Sequence, residues 1–406
     1  MDKILLLCGY YHSDSNANAV CEQNIAKELK KRGYSVYTIS YSFKKELDYS
    51  QNEIVVQISV LKRIIEYLHC KRNVFIFRLL HKVFVVIRKI IIAPFFPSVP
   101  SLSKVSYYKS AIKLIEEEKI DTIIGFYKPF DAIECAYILK KRFKDRIKVF
   151  TYHLDLLNVS EDRNTVIRKY KEFNAKRFFS KEICLIDHIF IPCSEENKYN
   201  NNNISYVDFP LFEENSECLP SEIEFDKSSV NIVYIGSLDF TNRNPKFFIS
   251  LIDKANEVLK KKIIFHIWGN VPQELICNSR NIAYHGTIQH RYVMDILKKC
   301  DYVVNIGNLT TYQWIPSKIF QLFSTGKPII NIIRHPLDVS QDYFNIYSNS
   351  CDLYEYNHNI EDMTRKLIDY LTDGLGKLSH NANILFDRSR PSYFVSEVEK
   401  YSDGNY

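Results

Sequence analysis

Short apolar runs alternate with amphipathic stretches along most of the chain. Residues 4–7 form an uninterrupted apolar run, followed by a loop of small and polar residues from Ser13 to Ala19. The next stretch places Val20, Asn24, Ile25 and Leu29 roughly on one face and closes on Lys30, Lys31, Arg32 and Gly33. This pattern predicts a buried strand, then a helix with cations and a glycine at its C-terminal end. Residues 36–39 supply a second strand. The alternation resumes with strands at 120–125, 148–152 and 186–192 and helices at 132–142 and 164–180; the asparagine-rich stretch 197–203 reads as a loop tip.

Between residues 210 and 229 the period is lost. Pro210, Glu213, Glu214, Asn215, Ser216, Glu217, Pro220 and Ser221 mark a linker. A fresh pattern then begins, with strands at 230–235, 263–268, 302–306 and 328–333 and helices at 245–259, 291–299 and 317–324. Strands alternating with helices predict an α/β fold of two Rossmann-like domains with parallel sheets. The expected division is 1–209, a linker at 210–229, a second domain at 230–385, and a tail at 386–406 packing back on the first.

Length supports that division, because 406 residues exceed one ordinary compact domain. A hydrophobic share of 46% with 25% charged residues excludes a disordered or fibrous chain. The net charge of +6 permits an anionic ligand or surface without arguing for nucleic acid. Ten scattered cysteines without a CxxC pair predict reduced thiols in the cytoplasm and no zinc site. The N-terminal apolar run is too short for a signal peptide. The apolar region 74–96 is interrupted by Arg78, His81, Lys82, Arg88 and Lys89, and so predicts no membrane span.

The second half places glycine- or proline-marked turns after its strands. Gly236 and Ser237 end the first strand, and Arg243 precedes Asn244 and Pro245 at a helix start. Gly269 ends another strand, and His285 and Gly286 follow. Pro316, Ser317 and Lys318 open a helix that ends at Thr325-Gly326-Lys327-Pro328. In an open parallel sheet such turns gather beyond the carboxyl ends of the strands, where ligands bind. A pyrophosphate there needs backbone N–H groups and fixed positive charge, which Arg243 and Lys318 supply.

The order Tyr-Ile-Gly-Ser-Leu, Arg-Asn-Pro, His-Gly and Pro-Ser-Lys-Ile-Phe-Gln-Leu-Phe-Ser-Thr-Gly-Lys-Pro resembles the C-terminal domain of GT-B glycosyltransferases. It is similar above all to family-four-like enzymes that build bacterial capsule, exopolysaccharide or O-antigen. The likeness covers residues 230–331 well and the first half loosely. It implies a nucleotide-sugar donor held in an interdomain cleft, with Gly236, Arg243 and the Ser317–Lys318 turn near its diphosphate. In such enzymes a glutamate three residues after the lysine holds the ribose; here Gln321 stands at that position. Gln313, eight residues earlier, stands where many relatives carry another glutamate. Glutamine keeps hydrogen-bonding capacity but contributes no negative charge. No Asp-x-Asp pair occurs, which agrees with neutralisation of the leaving group by Arg243, Lys318 and helix N-termini rather than by a metal.

In the first half, Ser15, Asn16 and Asn18 are candidate acceptor contacts, with His12 a weaker one. His153 and Asp155 are candidates to orient an acceptor hydroxyl or take its proton. From 61 to 104 nine basic side chains accompany a single acid, Glu66, interleaved with apolar residues. Such a segment suits docking on an anionic lipid surface. The sequence therefore predicts a sugar transferase (hexosyl or related), peripheral to the inner face of the membrane. It uses a nucleotide sugar, needs no cofactor or metal, and extends a polyprenyl-diphosphate-linked glycan; the resemblance alone implies retention. A nucleotide-sugar epimerase and a non-catalytic donor-fold subunit are rival readings on the same fold.

Overall fold

The computed structural model describes residues 3–13, 16–42, 52–58, 63–65, 67–68, 71, 74–98, 101–154, 165–196, 198–212, 220–277, 279–357, 359–373 and 385–402. Two compact units divide the chain, Met1–Pro210 with Pro391–Tyr406, and Leu211–Arg390.

The first unit is built on β1 (Lys3–Leu7), β2 (Ser35–Ser42), β3 (Glu53–Gln57), β4 (Thr122–Tyr127), β5 (Lys148–His153), β6 (His188–Ile191) and β7 (Ile204–Tyr206). They pair in parallel in the order β3-β2-β1-β4-β5-β6-β7. The strand order reverses direction between β1 and β4, which makes that gap the topological switch point. Central strands covered on both faces must be apolar on both, and Ile4 to Leu7 are all fully buried. Gly125 in β4 lets the helix Phe130–Phe143 pack tightly, since a Cβ there would stand 3.1 Å from Ala136 Cβ. The final helix, Pro391–Ser402, belongs to this unit. Its Phe394 stacks on Tyr152 at 5.0 Å, and its Glu399 pairs with Arg32 at 2.5 Å.

The second unit holds β8 (Val230–Ile235), β9 (Ile263–Trp268), β10 (Ile282–Tyr284), β11 (Tyr302–Ile306), β12 (Ile329–Ile333) and β13 (Ser350–Tyr354). Their parallel order is β10-β9-β8-β11-β12-β13, with the switch point between β8 and β11. Both units are thus Rossmann-type sheets, as the alternation predicts. Residues 220–229 of the expected linker are not free chain. Ser221 donates to Asp295 through its N–H (2.8 Å) and hydroxyl (2.5 Å), and Phe225 packs edge-on against His266. Residues 213–219 lie outside the described residues.

Of the basic segment 61–104, the described part contains the helix Phe75–Ile92. Phe75, Ile76, Leu79, Leu80, Val83, Val86 and Ile87 are all exposed along it. Among the described residues no helix is long and apolar enough to cross a membrane.

Candidate functional site

Gly236, Arg243 and Lys318, three of the site candidates of the second unit, meet at the switch point. β8 ends at Ile235, and Gly236 turns the chain with φ at +152°, a conformation that favours glycine. A Cβ on Gly236 would stand 1.6 Å from Lys318 Nζ, so the missing side chain makes the space the lysine occupies. Gly269, φ +140°, closes the neighbouring turn; a Cβ there would lie 1.9 Å from the Gly236 carbonyl oxygen. The three glycine turns form one ladder. Gly236 N–H donates to Trp268 O at 2.7 Å, and Gly269 N–H donates to Gly286 O at 2.7 Å.

Lys318 begins the short helix Lys318–Ser324. Its ammonium donates to Ile235 O at 2.9 Å and lies 5.4 Å from the Tyr234 ring centre. Burial, reinforced by the nearby Arg243 cation, pushes the Lys318 amine down to about 7. Arg243 Nε donates to Asn308 Oδ1 at 2.8 Å. Two cations thus crowd a half-buried place at the ends of β8 and β11.

The loop that carries Arg243 is fixed from below. Arg334, buried, forms a two-point ion pair with Glu355 (2.6 and 2.9 Å) and donates Nη1 to the carbonyls of Thr241 (3.2 Å) and Asn242 (2.7 Å). Asn242 Oδ1 accepts from Thr310 N–H at 2.9 Å, tying the same loop to the segment after β11. Asp338, also buried, accepts from Ser340 N–H (2.9 Å) and hydroxyl (2.7 Å). Its carboxyl is raised by burial, against the opposing charges of His335 and Arg243. A Cβ on Gly307 would meet Asp338 Oδ2 at 2.7 Å.

Tyr234, Asn308, Arg334 and Asp338 were not among the candidates. Gly307-Asn308 directly after a strand is a turn signal that marks Asn308. Asp338 and Arg334 sit in and before an ordinary loop and carry no local signal.

His285 stacks on Trp268, centroids 4.1 Å apart and planes 9° from parallel, and its Nε2 meets His266 Nδ1 at 3.0 Å. His266 Nε2 meets Asn231 Oδ1 at 3.1 Å, while the Asn231 amide nitrogen donates to the Asp226 and Ser229 carbonyls. Assigned from this network, His266 carries its proton on Nε2 and accepts at Nδ1 from His285 Nε2–H. Burial lowers both rings, His266 to about 4, so the pair is neutral at pH 7. The exposed His285 therefore presents an unprotonated Nδ1, a hydrogen-bond acceptor.

The other donor-side candidates are placed as follows. Pro316 is buried and its carbonyl accepts from Ile319 N–H; Ser317 makes no side-chain cap bond, and Ser237 is exposed. Gln321 contacts His290 Nε2 at 3.2 Å, while Gln313 is exposed with its amide 3.5 Å from the Tyr312 hydroxyl.

In the first unit, Ser15 and Asp155 lie outside the described residues. Asn16 is the N-cap of the helix Ala17–Lys31, its Oδ1 accepting from Asn18 N–H at 3.0 Å. His12 stands 3.8 Å from Glu53. His153 has no exposed surface. Its Nε2 lies 2.9 Å from Glu182 Oε1, which also accepts the Thr151 hydroxyl at 2.7 Å. The ring is therefore committed to a buried carboxyl and presents nothing to solvent. A second buried carboxyl, Glu22, accepts Gly9 N–H at 3.1 Å, and burial raises it to about 8. Among the described residues, no group of three or more His, Cys, Asp or Glu could hold a metal ion.

No family model and no curated protein matches the chain. Its likenesses are to solved structures. S. aureus MnaA in a co-structure with UDP is 11% identical over 99% of this chain and 97% of that one, with a TM-score of 0.53. The Candida albicans trehalose-6-phosphate phosphatase N-terminal domain is 9% identical over 99% and 97%, TM-score 0.59. The spinosyn rhamnosyltransferase SpnG complexed with thymidine diphosphate is 12% identical over 98% and 100%, TM-score 0.50. At these identities the likeness shows the fold, two Rossmann-type domains of the GT-B kind.

Proposed function

We propose that the chain is a glycosyltransferase that takes its sugar from a nucleoside-diphosphate donor. The observation that carries this reading is the pair Arg243 and Lys318, crowded beside the Gly236 turn at the carboxyl ends of β8 and β11. Two fold relatives were solved with UDP or thymidine diphosphate, which agrees with a diphosphate there.

In this reading the acceptor hydroxyl attacks the anomeric carbon, the bond to the diphosphate breaks, and the negative charge on the leaving oxygen is met by Arg243 and Lys318. No metal is required for that neutralisation. Gln321 lies on the same short helix as Lys318 and takes the ribose, and Asp155, just past β5, receives the acceptor proton. The donor sugar transfers with retention. The acceptor is a lipid-linked glycan of surface polysaccharide synthesis, reached by docking segment 61–104 on the cytoplasmic membrane face. The exposed apolar row of the Phe75–Ile92 helix, with Arg78 and Lys82 on it, supports that docking.

The test is incubation with a panel of nucleotide sugars and polyprenyl-diphosphate-linked acceptors. Transfer that Lys318→Ala and Arg243→Ala both suppress is expected. Neither transfer nor donor hydrolysis with any pair would overturn the reading.

A further inference from the structure

We infer that the lipid-docking surface is bipartite, and that its second half is the helix Thr165–Ile183, outside the basic segment. The inference rests on the membrane-docking reading of segment 61–104 and adds to it a second element and a headgroup site.

The Thr165–Ile183 helix is charged in sequence and shows no simple apolar stripe, yet one of its faces is graded. Val166, Tyr170, Phe173, Arg177 and Lys181 recur at spacings of four, three, four and four, so they share that face. Val166 is 75% exposed, Tyr170 45% and Phe173 63%. A buried core helix hides such side chains; here they point outward beside one another.

Further along the same face, Arg177 and Lys181 line a surface groove with Tyr137 and Lys141 of the Phe130–Phe143 helix. Three cations and no carboxylate line that groove. One end of the face is thus apolar and the other is a cationic recess.

The two helices are joined. Tyr170 hydroxyl donates to Pro94 O at 2.9 Å, just after the Phe75–Ile92 helix, and Lys171 Nζ stands 5.3 Å from the Phe96 ring centre. Phe95, between those contacts, is 51% exposed. The exposed Phe95, past the end of the first helix, thus lies in the segment that Tyr170 and Lys171 contact, and Tyr170 shares its helix face with Phe173 and the groove's Arg177 and Lys181. An anionic bilayer fits this order: apolar side chains enter the acyl boundary while cations meet headgroup phosphates. Neither helix is long and apolar enough to span, which leaves both in the interface.

The experiment is flotation of the full chain with vesicles of phosphatidylcholine alone and of phosphatidylcholine with phosphatidylglycerol. The wild type is expected to float with the anionic vesicles only. Leu79→Asp with Val83→Asp tests the basic segment and should abolish flotation. Phe173→Asp, and separately Arg177→Glu with Lys181→Glu, test the second helix and should each weaken binding about tenfold or more. Unchanged thermal melting checks the fold of each variant, with Phe173→Ser replacing Phe173→Asp if the latter melts early. If the Leu79/Val83 variant loses binding while both variants of the second helix keep wild-type affinity, the bipartite surface is wrong and the docking reading stands. If the wild type does not float, both fail. A dimer in sedimentation that Phe173→Asp dissociates, without vesicle binding, assigns the face to a second copy and also overturns the inference.

Discussion

Both sheets reverse their strand order beside a glycine turn, but different chemistry stands at the two switch points. In the second unit, Gly236 leaves room for a cation, and Lys318 and Arg243 occupy the place half-buried, held by the Ile235 carbonyl and by Asn308. In the first unit, Gly9 leaves room for backbone instead: a Cβ there would meet Lys128 O at 2.2 Å. The groups behind it are neutral or internally satisfied, with Glu22 raised to about 8 and His153 bound to Glu182. One switch point brings together two basic side chains, Lys318 and Arg243, and the other is closed with packed backbone and buried acids. The same topology therefore brings two basic side chains together in one unit, where we propose the anion binds, and forms, among the described residues, a structural crossing in the other.

Removing the charge should produce the largest effect. Lys318→Ala or Arg243→Ala is expected to lower kcat/KM by roughly 10²–10³, the scale of losing one donor to a leaving oxyanion. Steady-state kinetics with whichever nucleotide sugar of the panel supports transfer reads it. Comparable loss from a change at Gly9 with no loss at Lys318 would reverse the comparison.

Next come the glycines, where two alanine substitutions should separate function from fold. In Gly236→Ala the new methyl meets the flexible end of Lys318, which can swing away, so the fold persists and nucleotide-diphosphate affinity falls. In Gly269→Ala the methyl meets the Gly236 carbonyl at 1.9 Å, and backbone must move. We expect a loss of about 2–3 kcal/mol in denaturant unfolding for Gly269→Ala and about 1 kcal/mol for Gly236→Ala.

Glu22 gives a smaller, pH-dependent effect. Its folded-state value, raised to about 8, exceeds the unfolded value of 4.5, so the native state binds the extra proton between those limits. Stability from this group is complete below pH 4.5 and is lost as pH rises through about 8. Glu22→Gln keeps an acceptor for Gly9 N–H and cannot ionise. Thermal melts from pH 5 to 8.5 should show the variant gaining on wild type as pH rises; parallel curves would place Glu22 in a wetter setting.

The smallest expected effect is at Gln313. It is exposed and, among the described residues, its side chain makes one long contact, to Tyr312, so Gln313→Ala should change kcat/KM by less than about threefold, whereas Gln321→Ala should raise KM more.

Much of this architecture is legible before any coordinates, for physical reasons that differ along the chain. Apolar runs such as 4–7, and 329–333 with Asn331 as its one polar position, announce central parallel strands because both faces are covered. β7 and β10, three residues each, are too short to show a period, and β3 lies at a sheet edge with its burial incomplete. Gly236, Gly269 and Gly286 are readable as strand-end turns, and the ladder they form follows from strand adjacency. Asn308 is marked in sequence only as part of the Gly307-Asn308 turn, and Asp338 is an ordinary loop residue; their settings come from Arg243, 65 residues before Asn308, and from the burial of Asp338. His153 shows the converse. A histidine after a strand suggests acid–base chemistry, but its partner Glu182, 29 residues away, could not be foreseen from local pattern.

The most direct measurement of the proposed anion site is calorimetric titration of UDP and of thymidine diphosphate at pH 8, in two buffers of different ionisation enthalpy. The terminal phosphate is fully ionised at that pH. Empty, Lys318 is mostly neutral there, since its amine is pushed down to about 7. A bound diphosphate raises it again, so binding gains strength below the bound-state value and weakens as pH rises through it. The account predicts uptake of about one proton per nucleotide bound by the wild type, and none by Lys318→Met with weaker binding. Binding without proton uptake, or full affinity in Lys318→Met, would contradict it.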